Sequence, residues 1–212
     1  MPPGRKPTRS SQEFVAAAIA FADEWGIEQL TLRALGRAIG ASTTAVYRYF
    51  PHKEALLATM RDTLIGEAML GGPSATDPAE QIRIAARAFR RQAIAHPCLA
   101  PLMTQPHLQG PQADQIPALI STALYELGLR DRQLVVAYRQ LESLVVGTCV
   151  FDLAGAPHHL TDRHARMQAV ERPEFAEHLV NPAAVEKINE EAFEASLEAL
   201  LTMLSLKGER VT

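Results

Sequence analysis

Thr31–Lys53, TLRALGRAIGASTTAVYRYFPHK, is the stretch whose spacing decides the fold. Thr31 can cap a helix carrying Leu32, Leu35 and Ile39 on one face, and Gly40 supplies the permissive backbone for its exit. Ser42 restarts a helix after a short turn. Val46 and Phe50 stand four residues apart and project inward together, which leaves Thr43, Thr44, Tyr47 and Arg48 on the outer surface. Pro51 ends this helix and Lys53 follows. The spacing predicts a helix-turn-helix. An outer face that is hydroxylic, aromatic and cationic suits a DNA groove: hydroxyls reach base edges or phosphates, a tyrosine bonds a phosphate oxygen, and an arginine forks onto guanine. In isolation the same residues also fit a plain helical hairpin with capping hydroxyls and half-buried tyrosines.

The flanks favour the first reading. Ser11 to Trp25 carries Val15, Ala18, Ile19, Ala22 and Trp25 at helical spacing and stops at Gly26, which predicts the supporting helix of a three-helix head. Before it, residues 1–10 form an arm bearing Arg5, Lys6 and Arg9, too poor in apolar residues to pack. Such an arm either reaches a minor groove or stays solvated.

The run from the first helix through TLRALGRAIGAS and TTAVYRYFPHKEALL resembles the DNA-binding domain of the TetR (tetracycline-repressor) family of one-component regulators, over about Ser11 to Met69. The most specific part is Ala45, Val46, Tyr47, Arg48, Tyr49, Phe50 and Lys53. The resemblance implies phosphate contacts at Thr31, Tyr47, Tyr49 and Lys53 and base reading at Arg33, Thr43, Thr44 and Arg48, with Ser42 opening the DNA-facing helix. His52 departs from the small polar residue that the family often has there.

At 212 residues, nearly half of them apolar, the chain is long enough for a small head and one larger domain. No run approaches the roughly 20 apolar residues of a membrane span, and the N-terminus is too polar for a signal peptide, so a cytoplasmic protein is expected. Cys98 and Cys149 lack the spacing of a disulfide framework or a structural zinc site, which leaves only a redox switch between them. The net charge of −3 is unevenly distributed: residues 1–60 hold seven basic against five acidic side chains, and the remainder fourteen against nineteen. A polyanion is therefore drawn to the head and repelled by the body.

After the head at 11–52, a connector helix is expected over 53–70, with Ala55, Leu56, Thr59, Met60, Thr63 and Leu64 on one broad face, until GGPSATDP breaks it. The remainder, 71–212, reads as all-α. Helical spacing covers Pro78 to His96, a short piece near Cys98 to Thr104, Gln112 to Leu127, Arg132 to Leu153 and Glu186 to Leu206.

The resemblance implies that this domain binds an effector and pairs with a second copy through its last two long helices. The expected dimer surface is Leu141, Leu144, Val145 and Thr148, with Cys149 and the small Gly147, against Phe193, Leu197, Leu200, Leu201 and Leu204. An intramolecular core is the alternative for the same stripe. A ligand cavity is expected among Phe89, Met103, His107, Tyr125, Tyr138, Glu142 and Phe151, with Leu102, Leu108, Ile120 and Leu124 nearby. His158, His159, His164 and His178 lack the i, i+4 spacing of a helical ligand pair, so neither a metal nor a cofactor is expected. No nucleophile elbow, Gly-rich phosphate loop or HExxH pattern points to an enzyme. The expected function is a homodimeric repressor that occupies a pseudo-palindromic operator until an apolar or amphipathic small molecule releases it. The alternative is a protein-interaction module that keeps the motif without reading an operator.

Overall fold

The computed structural model describes residues 9–70, 75–105, 107–152 and 182–209, and of residues 151, 152, 182–185 and 209 it describes the backbone alone. All regular structure among the described residues is helical: α1 (Ser11–Trp25), α2 (Leu32–Ala38), α3 (Thr43–Tyr47), α4 (Lys53–Ala68), α5 (Pro78–Ala95), α6 (Leu99–Met103), α7 (Gln115–Glu126), α8 (Asp131–Asp152) and α9 (Pro182–Glu209). None of these helices is long and apolar enough to cross a membrane.

Local chemistry fixes the helix starts. The Ser10 hydroxyl accepts from the Glu13 amide at 3.2 Å while the Glu13 carboxylate accepts from the Ser10 amide at 2.6 Å, a reciprocal cap on α1. Asp77 caps α5 by accepting from the Glu80 amide at 2.8 Å, with Pro78 as the first helical residue. His52 does the same for α4, its Nδ1 accepting from the Ala55 amide at 3.1 Å. The departure at this position therefore keeps the capping role that a small polar residue would have.

Two apolar cores follow. The first joins α1, α2 and α3 to α4 and continues through Phe89, Leu99, Leu102 and Leu108 to Cys149, so head and connector share one packed interior with the body. The connector is buried on two sides. Beyond Leu56, Met60 and Leu64, the structure buries Leu57, Arg61 and Ile65, a second stripe that the sequence pattern does not separate from the first. The cause is position: α4 lies between α1 on one side and α5 and α6 on the other.

The second core packs α5, α7, α8 and α9 together. Of the expected dimer stripe, Leu141, Phe193, Leu197, Leu201 and Leu204 are at most 4% exposed within a single chain, where they pack in this core. The single apolar stripe of α9 is taken by its own chain's α5 and α8. Among the described residues an added Cβ at Gly147 meets nothing within 4 Å.

The glutamates of α9 are not simply a solvated face either. Arg83 donates to Glu198 at 2.6 and 2.9 Å and also pairs with Glu80, Arg87 donates to Glu194 at 2.6 Å, and Arg90 donates to Glu190 at 3.0 Å. The Arg90 guanidinium also lies 4.7 Å over the Phe193 ring. This ladder clamps α9 along α5.

Hydrogen bonds from Arg87 and Arg83 hold the Glu194 and Glu198 carboxyls below the usual carboxylate range. A depressed folded pKa stabilises above the unfolded value, about 4.3, and that stabilisation is lost as pH falls through the folded values. The melting temperature should therefore drop as pH is lowered from about 5. Replacing both residues by glutamine should lower the melting temperature at neutral pH and flatten its acid dependence. Identical curves for the wild type and the double variant would remove the ladder as a source of stability.

Candidate nucleic-acid interface and ligand cavity

The turn motif is built as its residues require. Thr31 Oγ1 accepts from the Ala34 amide at 3.0 Å and Ser42 Oγ from the Ala45 amide at 3.2 Å, so each hydroxyl starts one of the two short helices. Gly40 takes φ +64 between them, a left-handed conformation that suits glycine. Leu35 and Val46, both fully buried, and Phe50, 3% exposed, pin the pair to α1 and α4. Arg33, Ser42, Thr43, Thr44, Tyr47 and Arg48 all lie exposed, as does Thr31, so the surface available to DNA combines hydroxyls, one aromatic ring and guanidinium groups.

Two residues carried over from the resemblance are occupied within the chain. Tyr49 is half-buried against Phe14 with ring centroids 5.4 Å apart, and its hydroxyl donates to the Arg9 carbonyl at 2.9 Å while accepting from Arg48 Nη2 at 2.9 Å. Arg9 in turn donates to the Ile39 carbonyl at 2.8 Å, which ties the root of the basic arm to the end of α2. Lys53 Nζ donates to the Ile27 carbonyl at 2.7 Å and lies 3.4 Å from that of Glu28, bracing the start of α4 against the α1–α2 turn. The docking of Arg9 leaves no sequence signal, because it joins residues 30 and 40 positions apart.

Head and body meet through a second set of polar contacts. Asp23 of α1 bonds His96 Nδ1 at 2.8 Å and accepts from the Cys98 amide at 3.0 Å, which gives His96 the acidic partner that its sequence context does not show. Burial, and then bonding to Asp23, pushes the Cys98 thiol far up, which keeps it protonated; Cys149 is also buried. Gln92 of α5 donates to Glu67 of the connector at 2.9 Å. Asp62 of the connector accepts from the amides of Gln112 and Ala113 at 2.7 and 3.0 Å, clamping the segment that enters α7. Gly110 is required beside it, since a Cβ there would stand 2.4 Å from the Asp62 carboxylate oxygen.

A cavity of about 90 Å³ lies directly beyond this clamp. Its lining includes Met69 at the end of the connector, Phe89 on α5, Met103 on α6, Ile116 and Ile120 on α7, and Tyr138, Leu141, Glu142 and Val145 on α8. Phe89, Met103, Tyr138 and Glu142 thus share one cavity. His107 and Tyr125 do not line it: Tyr125 is 54% exposed with Arg130 stacked 3.6 Å from its ring, and His107 is exposed. The side chain of Phe151 and the four histidines from 158 to 178 lie outside the described residues. Burial, and then the Glu142 carboxylate, raise the Tyr138 hydroxyl above its ordinary value, so it stays protonated and can donate.

The exposed turn motif and the apolar cavity are thus joined through one helix, α4. The family model for bacterial regulatory proteins of the tetR family matches residues 14–60, and that for the tetracyclin repressor-like C-terminal domain matches residues 72–205; the chain belongs to this family. Among its relatives is the HTH-type transcriptional repressor DrrR1 of Streptomyces coeruleorubidus, 32% identical over 152 residues that make up 68% of this chain and 54% of that one. The chain spans about half the length of the curated relatives it matches. A possible TetR family transcriptional regulator from Streptomyces coelicolor A3(2) superposes with a TM-score of 0.75 at 26% identity, over 92% of this chain and 98% of that one. ActR of Streptomyces coelicolor in complex with actinorhodin shares the fold, with a TM-score of 0.70 at 21% identity over 94% and 96% of the two chains.

Proposed function

We propose that this chain is a homodimeric transcriptional repressor that holds a pseudo-palindromic operator and releases it when a small apolar or amphipathic molecule enters the α4–α8 cavity. The observation that carries the reading is the physical continuity between the two ends. Recognition residues on α3 rest on the same core as the connector, and Met69 of that connector lines the cavity. At about 90 Å³ the cavity is smaller than the roughly 300 Å³ at which drug-sized ligand sites begin, so a ligand must part its walls. Displacing α7 pulls on the Asp62 clamp and so on the helix that supports the head. A ligand that binds the parted state more tightly lowers operator affinity, and a coupling of about 1 to 3 kcal/mol weakens it several-fold to about a hundredfold.

Dimerisation falls on the outer face of α8 and α9, where Val135 and Val136 are 58% and 43% exposed beside Arg139, Ser143, Leu144, Ser196 and Leu200. Leu144 and Leu200 are the residues of the expected stripe that border this groove. Two heads on a twofold axis double the contacts that one short recognition helix makes. That ActR, which shares the fold, is known in complex with actinorhodin supports a small-molecule ligand for this chain.

The test selects bound duplexes from random DNA and measures anisotropy of the selected site against a scrambled one across a salt series. A palindromic consensus, preferred over scrambled duplex and losing affinity with salt at about 0.9 of log slope per phosphate contact, is expected. Equal, weak binding of both duplexes would sink the operator reading and favour the protein-interaction module.

A further inference from the structure

We propose that Arg61 on the connector helix is the anchor for an acidic group on the effector, which makes the ligand class an apolar body carrying a carboxylate or comparable oxyanion. This rests on the effector reading above and names the chemistry of the molecule that reading calls for.

Two charged side chains are buried among the described residues, Arg90 at 3% and Arg61 at 8% exposure. Arg90 is answered by Glu190 and by the Phe193 ring. Arg61 is not: its buried Nε has no hydrogen-bond partner among the described residues. The nearest acids do not fill the gap. Asp62 spends Oδ1 on the amides of Gln112 and Ala113, and Asp114 acts on Arg61 through space without an ion-pair contact. Burial lowers the Arg61 pKa against the pull of both carboxylates, yet a guanidinium does not give up its proton under ordinary conditions. Asp62 and Asp114 answer the guanidinium charge only at a distance, and an oxyanion brought against the unpartnered Nε gains a charge-assisted bond.

The location suits a ligand. Arg61, Ile65 and Met69 occupy successive turns of α4, and Met69 lines the cavity. The segment that Asp62 clamps leads within a few residues to Ile116, which lines it too. Arg61 does not itself line the cavity, but the two segments it lies between, the connector and the entry to α7, each supply a lining residue, Met69 and Ile116. At the α8 side the one charged lining residue is Glu142, whose carboxylate is paired with Arg139. Among the described residues the cavity lining holds no cation, so a molecule with one acid group finds its counter-charge toward the head. Pairing with Arg61 then acts on the connector itself, one residue from the clamp.

The test uses the full chain, its Arg61→Met and Arg61→Lys variants, and two probes with one ring system, 2-naphthoate and 2-naphthol. Without any probe, Arg61→Met should melt at a higher temperature than the wild type, because an apolar chain of similar length replaces an unpaired charge. A structural arginine predicts the opposite shift, and a lower melting temperature would overturn the proposal. By calorimetry, 2-naphthoate should bind the wild type at least about tenfold more tightly than Arg61→Met, the loss expected for a charge-assisted bond, while 2-naphthol should differ by no more than about twofold. Arg61→Lys should retain part of the preference for the acid. Equal naphthoate affinity in wild type and Arg61→Met, or binding of neither probe, would overturn the anion site. A labelled operator separates the two readings. Naphthoate held through Arg61 without loosening the operator keeps the anion site and sinks the effector role; operator release that ignores Arg61 does the reverse.

Discussion

Phe193→Ala is expected to lower folding stability by about 3 to 5 kcal/mol, the range for deleting a fully buried aromatic side chain. Phe193 is 0% exposed and packs among the second-core residues of α5, α7, α8 and α9. Its removal leaves a void that helices tied by the Arg83–Glu198 and Arg87–Glu194 pairs cannot easily collapse to fill. It also takes away the ring beneath the Arg90 guanidinium, leaving that buried cation with a poorer site. A shift in the urea midpoint with an unchanged slope is the expected signature. A loss below about 1 kcal/mol would mean that α9 is not seated on this core, since a void is normally costly there.

Arg48→Ala is expected to weaken the selected operator by about 1 to 3 kcal/mol, roughly fivefold to 150-fold, and to relax preference at one base pair. In the DNA-free chain the Arg48 guanidinium rests on Tyr49, 2.9 Å from its hydroxyl and 4.9 Å from its ring centre. That exposed contact is worth little, so the side chain can leave it for a guanine edge at small cost. Lys53→Ala serves as the contrast, expected to weaken all duplexes alike, since Lys53 braces the start of α4 and the proposed function gives it a phosphate contact and no base. Tyr49→Phe keeps the packing on Phe14 and removes only the hydroxyl. Full affinity and selectivity in Arg48→Ala, measured by anisotropy on single-base variants of the site, would remove Arg48 from the reading set.

The head was legible because its rules are local. Thr31 and Ser42 bond amides three residues away, Gly40 needs one backbone angle, and Val46 with Phe50 needs only the helical repeat. The membership of Phe89, Met103, Tyr138 and Glu142 in one cavity was partly legible, because large apolar and aromatic residues on packed helices converge on the interior. His107 and Tyr125 share that chemistry but not that location, and periodicity does not say which helix faces which.

The stripe Phe193, Leu197, Leu201 and Leu204 shows the limit most clearly. An amphipathic helix must bury one face, and the pattern is the same whether the partner is the chain's own α5 or a second copy. Sequence by itself determined the helices, the Thr31 and Ser42 caps, the exposed outer face of the turn motif and the family, all consequences of interactions within a few residues. Tertiary structure alone decided that the α9 glutamates answer α5 arginines, that Asp23 meets His96, that Asp62 clamps the entry to α7 and that the buried Arg61 Nε has no hydrogen-bond partner among the described residues. Each of those facts depends on which distant segments share a small volume, and burial and pairing of charge are properties of that volume and not of the local chain.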